Sequence, residues 1–291
     1  MLAGDWSDTV CARLEAVLSP EPENVRKYWH VIGIGIQNTL VYRANFLFRA
    51  SFGLIPLMAT LYLWRAVFRG NGGGEVSGYS LAAMTSYYLA VTVVDALTAV
   101  TDDDWQIAAD IREGAMSQLL LKPIDYMVYR FCLYGATRLI YASVALVPVG
   151  IFLMVQRGSL VFPSNLWTWS AFGLSVVLTA LLQFLISYSM ALLSFWVLEV
   201  STFIFILFAF EYAAGGHLFP LDILPRGLAE VLNYTPFPYQ LYFPVSVFLG
   251  RVQGAELLRG ILVQGAWVLL AFLVARAVWA RGIRKYAAYG G

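Results

Sequence analysis

Charged residues are scarce in this chain of 291 residues, because Asp, Glu, Lys and Arg together make up only 13% of it. A soluble domain carries about 25% charged residues, so this sequence has too little charge to cover a water-exposed surface. Hydrophobic residues make up 60% of the chain. That share excludes a disordered protein, since disordered chains are poor in apolar residues. The composition therefore indicates an integral membrane protein.

Excess basic charge and metal-ligating residues are also lacking. The formal net charge is +1, whereas nucleic-acid binding needs a basic surface, so we expect no nucleic acid as a partner. The two cysteines and two histidines show no metal-ligand spacing, so we expect neither a metal site nor a disulfide framework. None of the three lysines follows a glycine, which excludes a Walker A loop, and the HExxH and GxSxG motifs are absent too. We therefore expect no catalytic residue and no cofactor in this chain.

Six segments are apolar and long enough to cross a membrane as helices, for which about 20 residues are needed. They cover residues 44–68, 79–100, 126–155, 166–197, 201–218 and 259–279. This pattern predicts an all-α polytopic membrane protein with one transmembrane domain over residues 44–291. If both termini are cytoplasmic, twelve of the 19 Lys and Arg residues lie in cytoplasmic segments and six in outer ones. That asymmetry agrees with the positive-inside rule.

Residues 1–43 precede the first span, and we interpret them as a cytosolic lead-in followed by an interfacial helix. The first 22 residues contain four acids and no apolar run, so they do not resemble a signal peptide. Apolar residues then recur at helical spacing on one face, namely Val25, Trp29, Ile32, Ile36 and Leu40. An amphipathic helix lying in the membrane surface fits this pattern. The alternative is a cytosolic helix packed against the chain itself.

Residues 101–125, between the second and third spans, are predicted to form a cytosolic amphipathic helix. Thr101 or Asp102 is a suitable N-cap, and apolar residues follow at steps of four at Ile107 and Ile111. Pro123 disfavours helix at the residue before it. This helix either docks a cytosolic partner or is a solvated connector that caps the bundle.

Residues 215–250, before the sixth span, hold five of the eleven prolines between strongly apolar pieces. So many prolines argue against another full span, and so much apolar surface argues against an aqueous loop. Short re-entrant helices that enter the outer leaflet fit both facts, because broken backbone is tolerated at membrane depth where protein buries it. The residues that we assign to this segment include Pro220, Asp222, Pro225, Pro236 and Pro238.

Four charged residues fall within predicted spans. Burial of a charge in the membrane costs free energy, so such residues are candidates for a functional role. They are Arg49, Asp95, Arg138 and Glu211. Pairing of Asp95 with Arg138 or Arg49 would lower the cost of burying both charges. The alternative is that these side chains reach the headgroups or form purely structural pairs. No chain of acids and histidines along the sequence supports a proton relay.

Two segments resemble parts of the ABC type-2 exporter permeases, specifically a bacterial subfamily with six spans. Residues 110–125, DIREGAMSQLLLKPID, look like the cytosolic signature of that group. Residues 218–251, LFPLDILPRGLAEVLNYTPFPYQLYFPVSVFLGR, are similar to its segment before the sixth helix.

The resemblance implies a permease of the bacterial cytoplasmic (inner) membrane, surrounded by lipids and working with a cytosolic ABC ATPase dimer that binds ATP and Mg. It implies a second permease, either another copy or a related chain. It also implies that the cytosolic helix couples the permease to the ATPase through charged residues and groove-filling apolar ones, which are Asp110, Arg112 and Glu113, and Ile111, Leu119 and Leu120, respectively.

Three functions remain in competition. An exporter permease needs an external motor, and this chain has no nucleotide site of its own. An ion-coupled secondary carrier would need buried charges in matched broken helices, and only one end of this chain is broken. A lipid-modifying membrane enzyme would need a reactive cluster at one face, and the run Asp102, Asp103 and Asp104 fits helix capping better. We expect the permease, moving an amphipathic or lipid-like substrate outward.

Overall fold

A computed structural model describes residues 22–41, 43–72, 74–100, 103–155, 160–163 and 165–289. Within these ranges the chain forms twelve α-helices and no strand. We number them in chain order as α1 Pro22–Val41, α2 Arg43–Gly70, α3 Leu81–Thr98, α4 Asp103–Arg112, α5 Met116–Leu120, α6 Tyr126–Val155, α7 Leu166–Ala191, α8 Ser201–Ala214, α9 Arg226–Asn233, α10 Phe237–Gln240, α11 Tyr242–Phe248 and α12 Gly254–Tyr289. The predicted all-α polytopic fold is confirmed.

Five helices are long and apolar enough to cross a membrane, and they lie in α2, α3, α6, α7 and α12. The predicted fifth span behaves differently, because α8 has 14 residues and ends at Ala214. Such a helix rises about 21 Å, which is less than the ~30 Å of a bilayer core. Gly215 follows α8, and Gly216 adopts a φ of +100°, a conformation that interrupts a helix. The predicted helix over residues 201–218 is therefore too long by four residues, and the number of six spans stays a prediction.

The bundle is organised around α7, which packs along α12 and also contacts α3, α4 and α11. A second group forms where α6 packs against α1, α2 and α3. Two apolar clusters fill the interior. One lies near the end where α3 begins and includes Tyr87 and Leu241. The other lies near the opposite end and includes Tyr126 and Tyr188.

The predicted amphipathic helix before the first span is present as α1, and it lies along α6. The approach is close, because a Cβ added at Gly35 would stand 3.0 Å from the Cβ of Ala136. Trp29 and Leu40, from the predicted apolar stripe, are 67% and 48% exposed, whereas Gly35 and Thr39 are buried, so the stripe is only partly on the face that packs on α6. Its location at a membrane surface stays a prediction. The lead-in over residues 1–21 lies outside the described residues.

Two glycines allow α12 to approach its neighbours closely. A Cβ at Gly260 would overlap the ring of Phe243 in α11, and one at Gly282 would overlap the ring of Phe195. Both rings are buried, so neither has free space into which it could move. Close contact between the α12 backbone and an aromatic ring therefore fixes the position of this helix at two points along its length.

We expect Gly260→Ala to lower the thermal unfolding midpoint of the chain in detergent. The added methyl group overlaps the buried ring of Phe243, and overpacking of this kind costs about 1–3 kcal/mol. Gly265→Ala in the same helix is the matched control, because nothing lies within 4 Å of its added Cβ. That change should be neutral or stabilising by up to about 1 kcal/mol, since alanine is the better helix former. Equal midpoints for the two variants would contradict the packing described here.

Candidate functional site: two polar ends and an internal cavity

The predicted coupling helix is two short helices rather than one. α4 ends at Arg112 and α5 begins at Met116, and between them Gly114 adopts a φ of +79°. A left-handed residue of this kind ends an α-helix, so the prediction of one continuous helix is wrong. α5 ends at Leu120, before Pro123, as the proline predicts. The proposed caps at residues 101–102 lie outside the described residues.

Asp110, expected to face a partner, is instead buried in a polar cluster within the chain. Its carboxylate forms an ion pair with the guanidinium group of Arg130, and the two side chains are 11% and 6% exposed. The Tyr126 hydroxyl donates to the same carboxylate at 2.9 Å, and Arg130 Nε donates to the Tyr126 hydroxyl oxygen at 3.0 Å. This cluster joins α4 to the start of α6. The correction follows from the cost of burying a charge, which a nearby opposite charge offsets.

The other residues of the coupling set divide between interior and surface. Ile111 is buried in the apolar cluster that includes Tyr126, and Leu119 packs against that cluster. Arg112, Glu113 and Leu120 are exposed. The surface available to a partner therefore consists of polar residues around the break and of the exposed end of α5. Contact of that surface with an ATPase stays a prediction.

Three further contacts hold residues 103–125, which include α4 and α5, against the rest of the bundle. The Tyr286 hydroxyl, near the end of α12, donates to the Gly114 carbonyl at 3.2 Å. Arg276 of α12 forms an ion pair with Asp125 at 2.8 Å, and the ammonium group of Lys27 in α1 donates to the Pro123 carbonyl at 2.8 Å. Sequence reasoning missed Arg130, Arg276 and Tyr286. The spacing of Tyr126 and Arg130, four residues apart at the start of a span, was the available signal for the first of them.

At the opposite end, residues 215–250 form short helices, as their proline content predicts. Pro220 and Pro225 directly precede a 3-10 turn and α9, while Pro236 and Pro238 lie at the start of α10. The segment reaches deep into the bundle, because the Tyr239 carbonyl accepts hydrogen bonds from Gln264 at 2.8 Å and from Thr179 at 3.3 Å. Thr179 is thirteen residues into α7, or about 20 Å along that helix.

Asp222 joins both ends of this segment to the loop before α3. The Tyr79 hydroxyl donates to its carboxylate at 2.9 Å, and Arg251 pairs with the carboxylate at 3.1 Å. The same guanidinium lies 3.8 Å from the centroid of the Tyr79 ring and donates to the Gly78 carbonyl at 3.2 Å. Cation–π contact and ion pairing thus act on one arginine. The network fastens the segment over the start of α3.

The charged residues within spans are arranged differently from the expected pairing. Asp95 lies 3.2 Å from His217 Nε2, so its partner is His217 rather than Arg138. Arg138 is buried, with its guanidinium 5.3 Å from the ring centroid of Tyr141. The side chain of Arg49 lies outside the described residues. His217 was missed because it is distant from Asp95 in sequence, and only the return of the chain after α8 brings the two together.

Asp95, Glu211 and His217 share the wall of a partly open cavity of about 450 Å³ between α3, α7 and α8. Gln183 and Ser187 of α7 also line it, as do several aromatic side chains, namely Trp105, Phe205, Phe208 and Tyr212. The Tyr212 and His217 rings are stacked, with centroids 4.8 Å apart. Acids and a histidine that are scattered in the sequence therefore meet at one site. A volume of this size is typical of small-molecule binding pockets.

Residues 54–290 match the sequence model of a protein family described as ABC-2 family transporter protein. The match spans both polar ends and the cavity. No curated protein matches the chain.

We expect Asp110→Asn to destabilise the chain by about 3–5 kcal/mol, because it leaves the buried Arg130 charge without its counter-charge. Asp125→Asn is the matched control. Its partner Arg276 is 38% exposed, so water can solvate that charge, and we expect a cost under about 1 kcal/mol. The asparagine oxygen can still cap α6, as the Asp125 carboxylate does toward the Met127 amide. Thermal unfolding in detergent measures both, and equal losses would contradict the difference in burial.

Proposed function

The chain belongs to the ABC-2 transporter family and is the permease subunit of an ABC transporter, which works with a cytosolic ATPase. We propose that it exports an amphipathic or lipid-like substrate. The permease carries no ATPase site of its own. ATP and Mg bind to the partner ATPase dimer, and hydrolysis there drives transport. The permease acts with a second permease, either another copy or a related chain.

The observation that supports this mechanism most is the construction of the α4–α5 pair. It exposes Arg112, Glu113 and Leu120, and it is attached to α6 through the buried pair with Arg130 and to α12 through the hydrogen bond from Tyr286. A force applied by the ATPase to the exposed surface is therefore transmitted to two spans. A solvated connector without such attachments would absorb the force.

The orientation follows from charge and from the sidedness of the fold. The loop around Gly78 and the segment that contains Asp222 meet at one end of the bundle. Residues Gly114 and Tyr286 meet at the other end. With the Lys-rich and Arg-rich end inside, both termini are cytoplasmic and the chain lies in the bacterial inner membrane. The segment over residues 215–250 then covers the external end, where it closes the exit for substrate.

Large exposed apolar side chains mark the surfaces that meet lipid or the second permease. They are frequent on α8, where only Ile204 and Ala214 are buried, and on α2, where Phe48, Phe52 and Leu63 are each more than 60% exposed. In water such surfaces mark interaction sites. In a bilayer they fit contact with acyl chains and with a neighbouring permease.

We expect the double variant Arg112→Glu with Glu113→Arg to stay folded in the membrane but to lose much of its ATPase partner. Both side chains are exposed, so folding should change by about 0.5 kcal/mol or less for each. Loss of charge pairs across an interface costs roughly 2–5 kcal/mol, which is more than about tenfold in affinity. Co-purification of the ATPase and substrate-stimulated ATP hydrolysis measure the effect.

The control for this reversal lies at the opposite end of the bundle. Arg226→Glu with Glu230→Arg swaps the same charges on α9, where both side chains are exposed, and should leave the ATPase bound. Retention of the partner and of full transport by the Arg112 and Glu113 variant would exclude this surface as the coupling element.

Orientation can be tested with single cysteines in a chain from which Cys11 and Cys132 have been removed. Glu75→Cys and Arg226→Cys should react with a membrane-impermeant maleimide added to whole cells, whereas Gln118→Cys should react only after permeabilisation. All three positions are exposed, so differences in labelling report sidedness rather than burial. The reverse pattern would overturn the orientation.

A further inference from the structure

The partly open cavity between α3, α7 and α8 has a lining that is rich in hydrogen-bond acceptors. Asp95 and Glu211 contribute carboxylates, and none of the described residues that line the cavity is Lys or Arg. The Asp95 side chain keeps 32% of its surface exposed although His217 is its partner. Its carboxylate therefore retains surface for a second interaction.

Gln183 provides a second, independent observation. Its side chain lines the cavity and the residue is 95% buried, at a relative exposure of 5%. Its amide oxygen Oε1 has no hydrogen-bond partner within the described part of the chain. A buried acceptor that is left unpaired costs about 1–3 kcal/mol, so a ligand that donates a hydrogen bond here would recover that loss.

The remaining lining is apolar and aromatic. Trp105, Phe205 and Phe208 form part of it, and Tyr212 stacks on His217. Aromatic faces attract cations when water is excluded, and apolar side chains accommodate a hydrocarbon tail. The site thus combines two carboxylates and the imidazole of His217 with an apolar, aromatic wall.

One wall of the cavity belongs to α8, the least embedded of the apolar helices. Most of its large side chains are exposed, including Phe205 and Phe208 of the cavity wall, and the residues buried on it are Ile204 and Ala214. Displacement of α8 would therefore expose little additional apolar surface. A cavity with such a wall can open toward the membrane at low cost.

We propose that this cavity binds the ammonium group of an amphipathic primary amine and that such amines are the class of substrate carried. An ammonium group has three N–H donors and no acceptor, which matches the acceptors of Asp95 and Gln183. The same chemistry is found in a free alkylamine and in an aminophospholipid headgroup. The inference rests on the proposed transport function, which it deepens by naming the substrate class.

The test uses the purified full chain in phosphatidylglycerol nanodiscs and a photoactivatable alkylamine probe. Mass spectrometry should locate labelling on α7 and α8, in peptides that contain cavity residues. Dodecylamine, charged at neutral pH like a lysine side chain, should compete at concentrations about tenfold below those of dodecanol, as expected for one charge-assisted interaction. Dodecanoate should compete least. Equal competition by the three compounds would overturn the proposal.

Three variants locate the site. Asp95→Asn should raise the concentration of dodecylamine for half-competition about tenfold, and Gln183→Leu about fivefold, as expected for the loss of a charged and a neutral hydrogen bond. Glu256→Gln, an exposed acid outside the cavity, should leave it unchanged. If Asp95→Asn does not fold, Gln183→Leu decides the outcome. Unaltered competition in the folded cavity variants would overturn the proposal.

Lipid composition distinguishes the two sources of the amine. If added phosphatidylethanolamine abolishes labelling, the headgroup occupies the cavity, and if it does not, the site takes free amines. Both outcomes support the ammonium site. Because binding to the purified chain needs no ATPase, a chain that binds amines without ATP-dependent transport would contradict only the proposed function. A chain that couples to its ATPase but shows no amine preference would contradict only this inference.

Discussion

Backbone polar groups at membrane depth must find hydrogen-bond partners within the protein, and this constraint explains the form of residues 215–250. The chain leaves helical geometry after α8, so the carbonyl groups that follow have no helical hydrogen-bond partners. The Gly216 and Leu218 carbonyls accept from the hydroxyl groups of Tyr87 and Tyr88, each at 2.6 Å. Further along, Gln264 donates to the Tyr239 carbonyl at 2.8 Å. Long polar side chains on intact helices thus take the place of the hydrogen bonds that a continuous helix would have made.

The same constraint determines which parts of the site were readable from sequence. Prolines within an apolar segment indicated broken helices at residues 215–250, because both proline and apolar composition can be read from the local sequence. The partners that satisfy the broken backbone were not readable, since Tyr87 and Gln264 look like ordinary span residues until the chain folds back on them. Asp95 was recognised as costly in a span, yet its partner His217 is 122 residues away. Local sequence patterns therefore predicted the helices and the buried charges, whereas the partners that stabilise those charges and the broken backbone come from contacts between residues distant in sequence.

Helix α4 shows how a correct periodicity can lead to an incorrect prediction of the exposed surface. Ile107 and Ile111 follow a helical repeat, and both are buried, as an amphipathic helix requires. The charged residue Asp110 lies beside them in sequence and was placed on the solvent side with Arg112. It is buried because Arg130, at the start of α6, pairs with it, and the apolar repeat of α4 alone does not indicate that partner. Both charges are withdrawn from water, so removal of one partner is costly because it leaves the other charge buried and unpaired.

α3 is the element that the two ends and the cavity share. Within its apolar window 61% of the residues are buried, against 17% for the windows in α2 and α12, so it lies at the centre rather than at the lipid boundary. Tyr87 and Tyr88 of this helix hold the outer segment, and Asp95 faces the cavity. Near its other end, the Thr98 carbonyl accepts from the Tyr134 hydroxyl of α6, the span to which Arg130 fastens α4. A displacement of α6 would therefore act directly on the helix that carries both the cavity-facing carboxylate of Asp95 and the anchors of residues 215–250. Protein interiors are close-packed and resist small deformations, so α3 is the element that connects the α4–α5 end of the bundle with the cavity and with residues 215–250.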